Sequence, residues 1–103
     1  MDPIKAQELF NRLQQEEGLN LLDVRDEIEY HTYNIGGKNI PLSKLRAVID
    51  QIGYNKTGEI IVICRAGIRS ETARLLLKQN GYQQVRNLTG GLMALQKLKQ
   101  NLS

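Results

Sequence analysis

The chain has one cysteine, one histidine, two prolines and no tryptophan among its 103 residues. A lone cysteine excludes an internal disulfide framework and a cysteine-rich zinc site. It leaves two readings, a buried inert thiol or a reactive one. Aromatic residues make up 5% of the chain, too few for a platform on which bases could stack. No stretch approaches the roughly 18 apolar residues that a membrane span needs. The start, Met1-Asp2-Pro3-Ile4-Lys5, lacks the basic-then-apolar pattern of a secretory signal, so a cytoplasmic location is expected. Net charge is +3 and the pI near 9.2, with Lys and Arg scattered among acids rather than blocked. That balance does not point to nucleic acid.

What is present suits a globular fold. Hydrophobic residues form 41% and charged residues 24% of the chain, and its length fits one domain over residues 1–103. No repeat, low-complexity tract or linker interrupts it. Ala6, Leu9, Phe10 and Leu13 recur at helical spacing between Ile4 and Glu17, and Gly18 is placed to stop that helix. Residues 19–24 read as a short buried strand. Residues 39–42 can hold only a brief one, because Pro41 removes a ladder donor. Ser43 reads as the N-cap of a helix running through Leu45, Val48, Ile49 and Ile52 to Gly53.

Ile60-Ile61-Val62-Ile63 is the strongest strand, a β-branched run suited to a central parallel strand covered on both faces. Residues 70–80 read as a helix closed by Gly81, residues 84–88 as a last strand, and residues 91–102 as a last helix. Strands alternating with helices predict an α/β fold, a parallel sheet with helices on both faces. Ligands of such sheets bind beyond the carboxyl ends of the strands. Cys64 stands there, directly after Ile63.

The segment Cys64-Arg65-Ala66-Gly67-Ile68-Arg69-Ser70 joins that strand to the next helix. A helix start directs free N–H groups and positive dipole toward the loop. A short glycine-bearing loop can curl its N–H groups into an anion cradle. Arg65 and Arg69 add two permanent charges. All of these favour a thiolate on Cys64. Such a thiolate can attack the outer sulfur of an anionic donor and hold it as a persulfide, a covalent mechanism in two half-reactions. The spacing from Cys64 to Arg69 is Cys-x4-Arg. A phosphatase loop is one residue wider, to wrap a tetrahedral oxyanion, and arsenate reduction needs further thiols.

Four landmarks resemble the rhodanese family. The loop 64–70 is similar to its Cys-Arg-x-Gly-x-Arg active-site loop. Leu22-Asp23-Val24-Arg25 with Glu29-Tyr30 is similar to its Asp-Val-Arg…Glu-Tyr signature. Residues Ile35 to Leu42 resemble its Ile-Pro-Gly-Ala-x-Asn-Ile-Pro-Leu segment, and Leu88-Thr89-Gly90-Gly91 its closing Gly-Gly turn. The departures are Asn34 where the family often has His, one residue missing between Gly37 and Asn39, and Leu92 and Leu95 where aromatics are common. The Asn-Ile-Gly-Gly variant also resembles rhodanese modules fused to adenylyltransferases that supply sulfur to ubiquitin-like carrier proteins.

The resemblance implies a five-stranded parallel sheet in three α/β/α layers. It implies a sulfurtransferase with Cys64 catalytic and Arg65, Ala66, Gly67, Ile68, Arg69 and Ser70 binding substrate. It implies no cofactor and no metal. The expected partners are a thiosulfate-like donor and a thiol or cyanide acceptor, with a sulfur-relay protein as the alternative; nucleic acid and membrane are not expected. A regulatory module without catalysis usually lacks the cysteine or the arginines of the loop, and all are here. Asp23 and Arg25 are expected to be structural, with Arg25 pairing with Asp23 or Glu29. His31 is expected in a polar turn at the surface, and Tyr30 and Tyr33 in core and rim.

Overall fold

A computed structural model describes residues 1–15 and 17–102. In chain order the elements are α1 (Ala6–Gln14), β1 (Leu21–Asp23), α2 (Glu27–Thr32), β2 (Lys38–Asn39), α3 (Leu42–Leu45), β3 (Glu59–Ile63), α4 (Ile68–Gln79), β4 (Gln84–Asn87) and α5 (Gly91–Asn101). The strands form one sheet in the order β2-β1-β3-β4, and every pairing is parallel. The fold is therefore the expected parallel α/β sheet between helices.

Alternation along β3 splits the core into two faces. Ile60 and Val62 point to one face, where they join Leu22, Leu45, Ala73, Leu77 and Val85 beneath α3 and α4. Ile61 and Ile63 point to the other, against Leu9 of α1 and Leu92 and Leu95 of α5. Cys64 continues the period of two from Ile60 and Val62, so its side chain falls on the α4 face.

The sheet has four strands rather than five. The fifth is reduced to a single bridge between Ile4 and Leu88, in which Ile4 N–H donates to Asn87 O (3.0 Å) and Thr89 N–H donates to Ile4 O (2.9 Å). Pro3 has no N–H to extend the ladder, and the chain turns into α1 two residues after Ile4. Ile4 thus lies outside the helix expected over residues 4–17, a span that includes Glu16, which is outside the described residues. The helix expected from Ser43 is shorter and starts earlier. It begins at Leu42 after Pro41, has no side-chain cap, and becomes a 3-10 turn over Arg46–Val48. Pro41 has its φ preset for the position before a helix, and this displaces Ser43 from the cap.

The sequence reading overlooked α2. Its six residues bury no side chain fully, so no apolar period announces them. A capping box starts this helix instead: Asp26 caps the Glu29 N–H while Glu29 reaches back to the Asp26 N–H. His31 accordingly lies in the last turn of α2, not in a polar turn, and it is exposed. Among the described residues no helix is long and apolar enough to cross a membrane.

Candidate functional site

At the carboxyl end of the sheet the strand order changes direction between β1 and β3, which run side by side with Asp23 beside Ile63. Such a switch point leaves a crevice where side chains can converge. Cys64 rises from the end of β3 and Arg25 from beyond the end of β1. Arg25 pairs with Asp23: its Nη2 lies 2.7 Å from Asp23 Oδ2 and its Nε 3.0 Å from Oδ1. Both side chains are buried. The same guanidinium donates to Tyr33 O at 2.7 Å, so the pair ties the end of β1 to the end of α2.

The loop after Cys64 curls back on the sulfur. Gly67 N–H donates to Cys64 Sγ at 3.0 Å, from a backbone in the left-handed region (φ +95°) that favours glycine. Ser70 Oγ lies 3.2 Å from Sγ. The carbonyls of the loop are turned away by α5, whose first turn has free N–H groups: Leu92 N–H donates to Cys64 O (2.9 Å) and Met93 N–H to Arg65 O (3.0 Å). A Cβ on Gly91 (φ +62°) would stand 2.5 Å from Cys64 O, so only glycine permits this approach. Carbonyls outward and N–H groups inward make the concave cradle that the sequence suggested.

Burial pushes the Cys64 thiol up. Against it act the Ser70 hydroxyl and the backbone N–H groups of Ser70, Gly67 and Ala66, and together they bring the thiol below its ordinary value. The emphasis differs from the sequence reading, which added the charges of Arg65 and Arg69 to the helix start and the loop amides. Arg69 does feel the Cys64 charge, but its guanidinium is engaged with Glu29: Nη1 to Oε1 2.7 Å, Nη2 to Oε2 3.0 Å. That two-pronged pair holds the Glu29 carboxyl down to about 2, helped by the Asp26 N–H. Arg65 and Ile68 are exposed, as is Ala66. Ser70 is fully buried, and Cys64 itself is 1% exposed.

Two roles that the sequence reading did not assign complete the arrangement. One is that of Glu29 as the partner of Arg69. The other is that of Asn87, which lies beside Val62 in β4 and on the same face as Cys64. Its amide donates to Gly67 O (3.0 Å) and accepts from the Ser70 hydroxyl (2.5 Å). The signal was an amide at an inward strand position two residues after buried Val85. Tyr30 is half-buried rather than in the core and donates its hydroxyl to Gly37 O at 2.8 Å, while Tyr33 is exposed at the rim. Among the described residues no group of three His, Cys, Asp or Glu side chains could hold a metal ion.

A parallel α/β sheet with a cradled cysteine at its switch point defines a class of cysteine-centred α/β domain. The chain belongs to the rhodanese-like domain family, whose model matches residues 5–98. It is 30% identical over 95 residues to a sulfurtransferase of Allochromatium vinosum, covering 91% of this chain and 87% of that protein. It is 33% identical over 90 residues to YrkF of Bacillus subtilis, described as a sulfur carrier, covering 86% of this chain and 48% of the relative. The chain spans less than half the length of several such relatives. Among solved structures, the rhodanese-like domain of an Anabaena protein superposes with a TM-score of 0.83 at 28% identity, covering 93% of this chain and 74% of that one.

Proposed function

We propose that this domain moves sulfane sulfur through a persulfide on Cys64, taking it from a thiosulfate-like anion and giving it to a thiol or to cyanide. The single observation that carries the reading is the Cys64 sulfur facing Gly67 N–H at 3.0 Å within a loop whose amides lower the thiol. The thiolate attacks the outer sulfur of thiosulfate. A bond forms between the two sulfurs, the S–S bond of thiosulfate breaks, and sulfite leaves with the electron pair. The acceptor then attacks the outer sulfur of the persulfide; cyanide leaves as thiocyanate and the Cys64 thiolate returns. No separate base is assigned, because the loop amides and the Ser70 hydroxyl lower the thiol toward the thiolate that attacks. Arg69 and the loop from Arg65 to Ser70 are the binding side of the site, with Arg69 shared between Glu29 and the incoming anion. The tight Cys-x4-Arg loop favours a single sulfur over a phosphate.

A second reading, in which donor or acceptor is another protein, is supported by the rim. Ile28 is 82% exposed, Ile68 78% and Met93 51%, and an open groove of about 690 Å³ runs past Arg25, Ile28, Arg65, Met93 and Lys97. Exposed apolar side chains around a buried thiol suit a macromolecular face better than a small anion. Steady-state kinetics with thiosulfate and cyanide test the main reading. Parallel lines in double-reciprocal plots, and no thiocyanate from Cys64→Ser, are expected. Intersecting lines, or an active Cys64→Ser variant, contradict it. Persulfide-loaded cysteine desulfurase offered in place of thiosulfate separates the second reading from the first.

A further inference from the structure

The Ser70 hydroxyl has one proton and two neighbours that want it. Gly67 O can only accept, so the Asn87 amide must turn its NH2 toward it (3.0 Å), and this leaves Asn87 Oδ1 facing Ser70 Oγ at 2.5 Å. Oδ1 can only accept as well, so the Ser70 proton points at Asn87. What Ser70 presents to Cys64 Sγ, 3.2 Å away, is therefore a lone pair. That arrangement satisfies a neutral Cys64 thiol, whose S–H donates to Ser70. An uncharged inner sulfur, which has no hydrogen to donate, leaves the Ser70 proton with Asn87 as well.

A thiolate asks for the reverse. To donate to it, the Ser70 hydroxyl must swing away from Asn87 and leave a buried Oδ1 without a donor, a state that costs free energy. We propose that Asn87 is a positioning residue of the site: by competing for the single proton of Ser70, it disfavours charge on the Cys64 sulfur and favours the forms in which that sulfur is neutral. Under the reading of Cys64 as a sulfur carrier, on which the functional half of this proposal rests, one such form is the persulfide, whose charge sits on the outer sulfur. Loading Cys64 thus returns the Ser70 proton to Asn87, and unloading it takes the proton back. The two-position hydroxyl tilts the cycle toward the loaded state while the Gly67 amide serves the charge.

The charged groups around the sulfur are Arg65 in the loop, Arg69 on α4 with Glu29 from α2, the Asp23–Arg25 pair at the end of β1, and Lys97 of α5 along the adjacent groove. None is altered by the variants that test the proposal. The pH profile of Cys64 alkylation by iodoacetamide reads the thiolate without any sulfur chemistry. Asn87→Leu, close in shape to Asn, is expected to lower the midpoint by about half to one pH unit, the worth of one neutral hydrogen bond. Ser70→Ala is expected to raise it. In the Ser70→Ala background, Asn87→Leu is expected to have no further effect, because the contested proton is gone. An Asn87→Leu midpoint that is unchanged or raised, or a shift of equal size in both backgrounds, overturns the proposal, since the amide would then act only through Gly67. If Asn87→Leu does not fold, Asn87→Asp takes its place: a rise that is larger with Ser70 present supports the proposal, and equal rises overturn it. Intact mass in thiosulfate–sulfite mixtures reads the second half, where Asn87→Leu is expected to hold several-fold less persulfide. Failure of every variant and of the unmodified chain to load sulfur would count against the sulfur-carrier reading, while the alkylation profiles would still decide the role of Asn87.

Discussion

The approach of α5 to the cysteine loop makes Gly91→Ala a strong test of how the cradle is held. Two costs add at this position. The backbone has φ +62°, which for a residue with a Cβ costs about 1–2 kcal/mol. The new methyl carbon would also meet Cys64 O at 2.5 Å and the Arg65 carbonyl group, contacts that can be relieved only by moving backbone. Overpacking of that kind costs about 1–3 kcal/mol more. The sum, about 2–5 kcal/mol, corresponds to a fall in melting temperature of roughly 8–40 °C in a chain this size. Gly36→Ala is the control, because its φ is +99° but a Cβ there meets nothing within 4 Å. It should lose about 1–2 kcal/mol, the strain alone. Thermal melts of both variants, read by circular dichroism, measure the difference. The displaced Cys64 carbonyl should also raise the midpoint of thiol alkylation in Gly91→Ala and leave it unmoved in Gly36→Ala. If the two variants melt together, α5 does not press on the loop as described.

Three further outcomes are expected. Asp23→Ala strands the buried Arg25 guanidinium and should cost about 3–5 kcal/mol in urea unfolding, far more than any surface pair; a loss below 1 kcal/mol would show that Arg25 escapes to water. Arg69→Ala should lower kcat/KM for thiosulfate by about 1–2 kcal/mol, whereas Glu29→Gln should lower KM by freeing the guanidinium. Because the Glu29 carboxyl is depressed, the stability from this pair is complete above its ordinary value of 4.5 and is lost as pH falls through about 2. With both partners about a third exposed, that contribution should stay under roughly 1 kcal/mol. Hydrolysis of aryl phosphates should be negligible beside sulfur transfer; comparable rates would contradict the argument from loop width.

The parts of the fold that were legible are those where hydrophobic period and burial coincide. The run from Ile60 to Ile63 is buried on both faces, and it therefore announced both the central strand and the position of Cys64 at its end. The Gly-Gly turn before α5 was readable from its resemblance to the family's closing turn. Helix α2 was not, because it buries nothing and is defined by the Asp26–Glu29 capping box and by side-chain bonds at its end. The lost fifth strand turns on Pro3 and a single pair of bonds at Ile4, a balance too fine for a pattern to carry. At the site, Cys64 and its arginines were named from their place at the end of the strand, and the rest of the loop from its resemblance to the family. The partition of charge was not, since the pairing of Arg69 with Glu29 joins residues 40 positions apart. Asn87 was hidden for the same reason: its role depends on which of its two amide atoms faces Ser70.

The most direct measurement is the intact mass of the protein after incubation with thiosulfate and removal of excess reagent. The account predicts a gain of one sulfur atom, mapped to Cys64 by peptide analysis, removed by reductant or cyanide, and absent in Cys64→Ser. An unchanged mass, or a sulfur adduct that persists in Cys64→Ser, would contradict it.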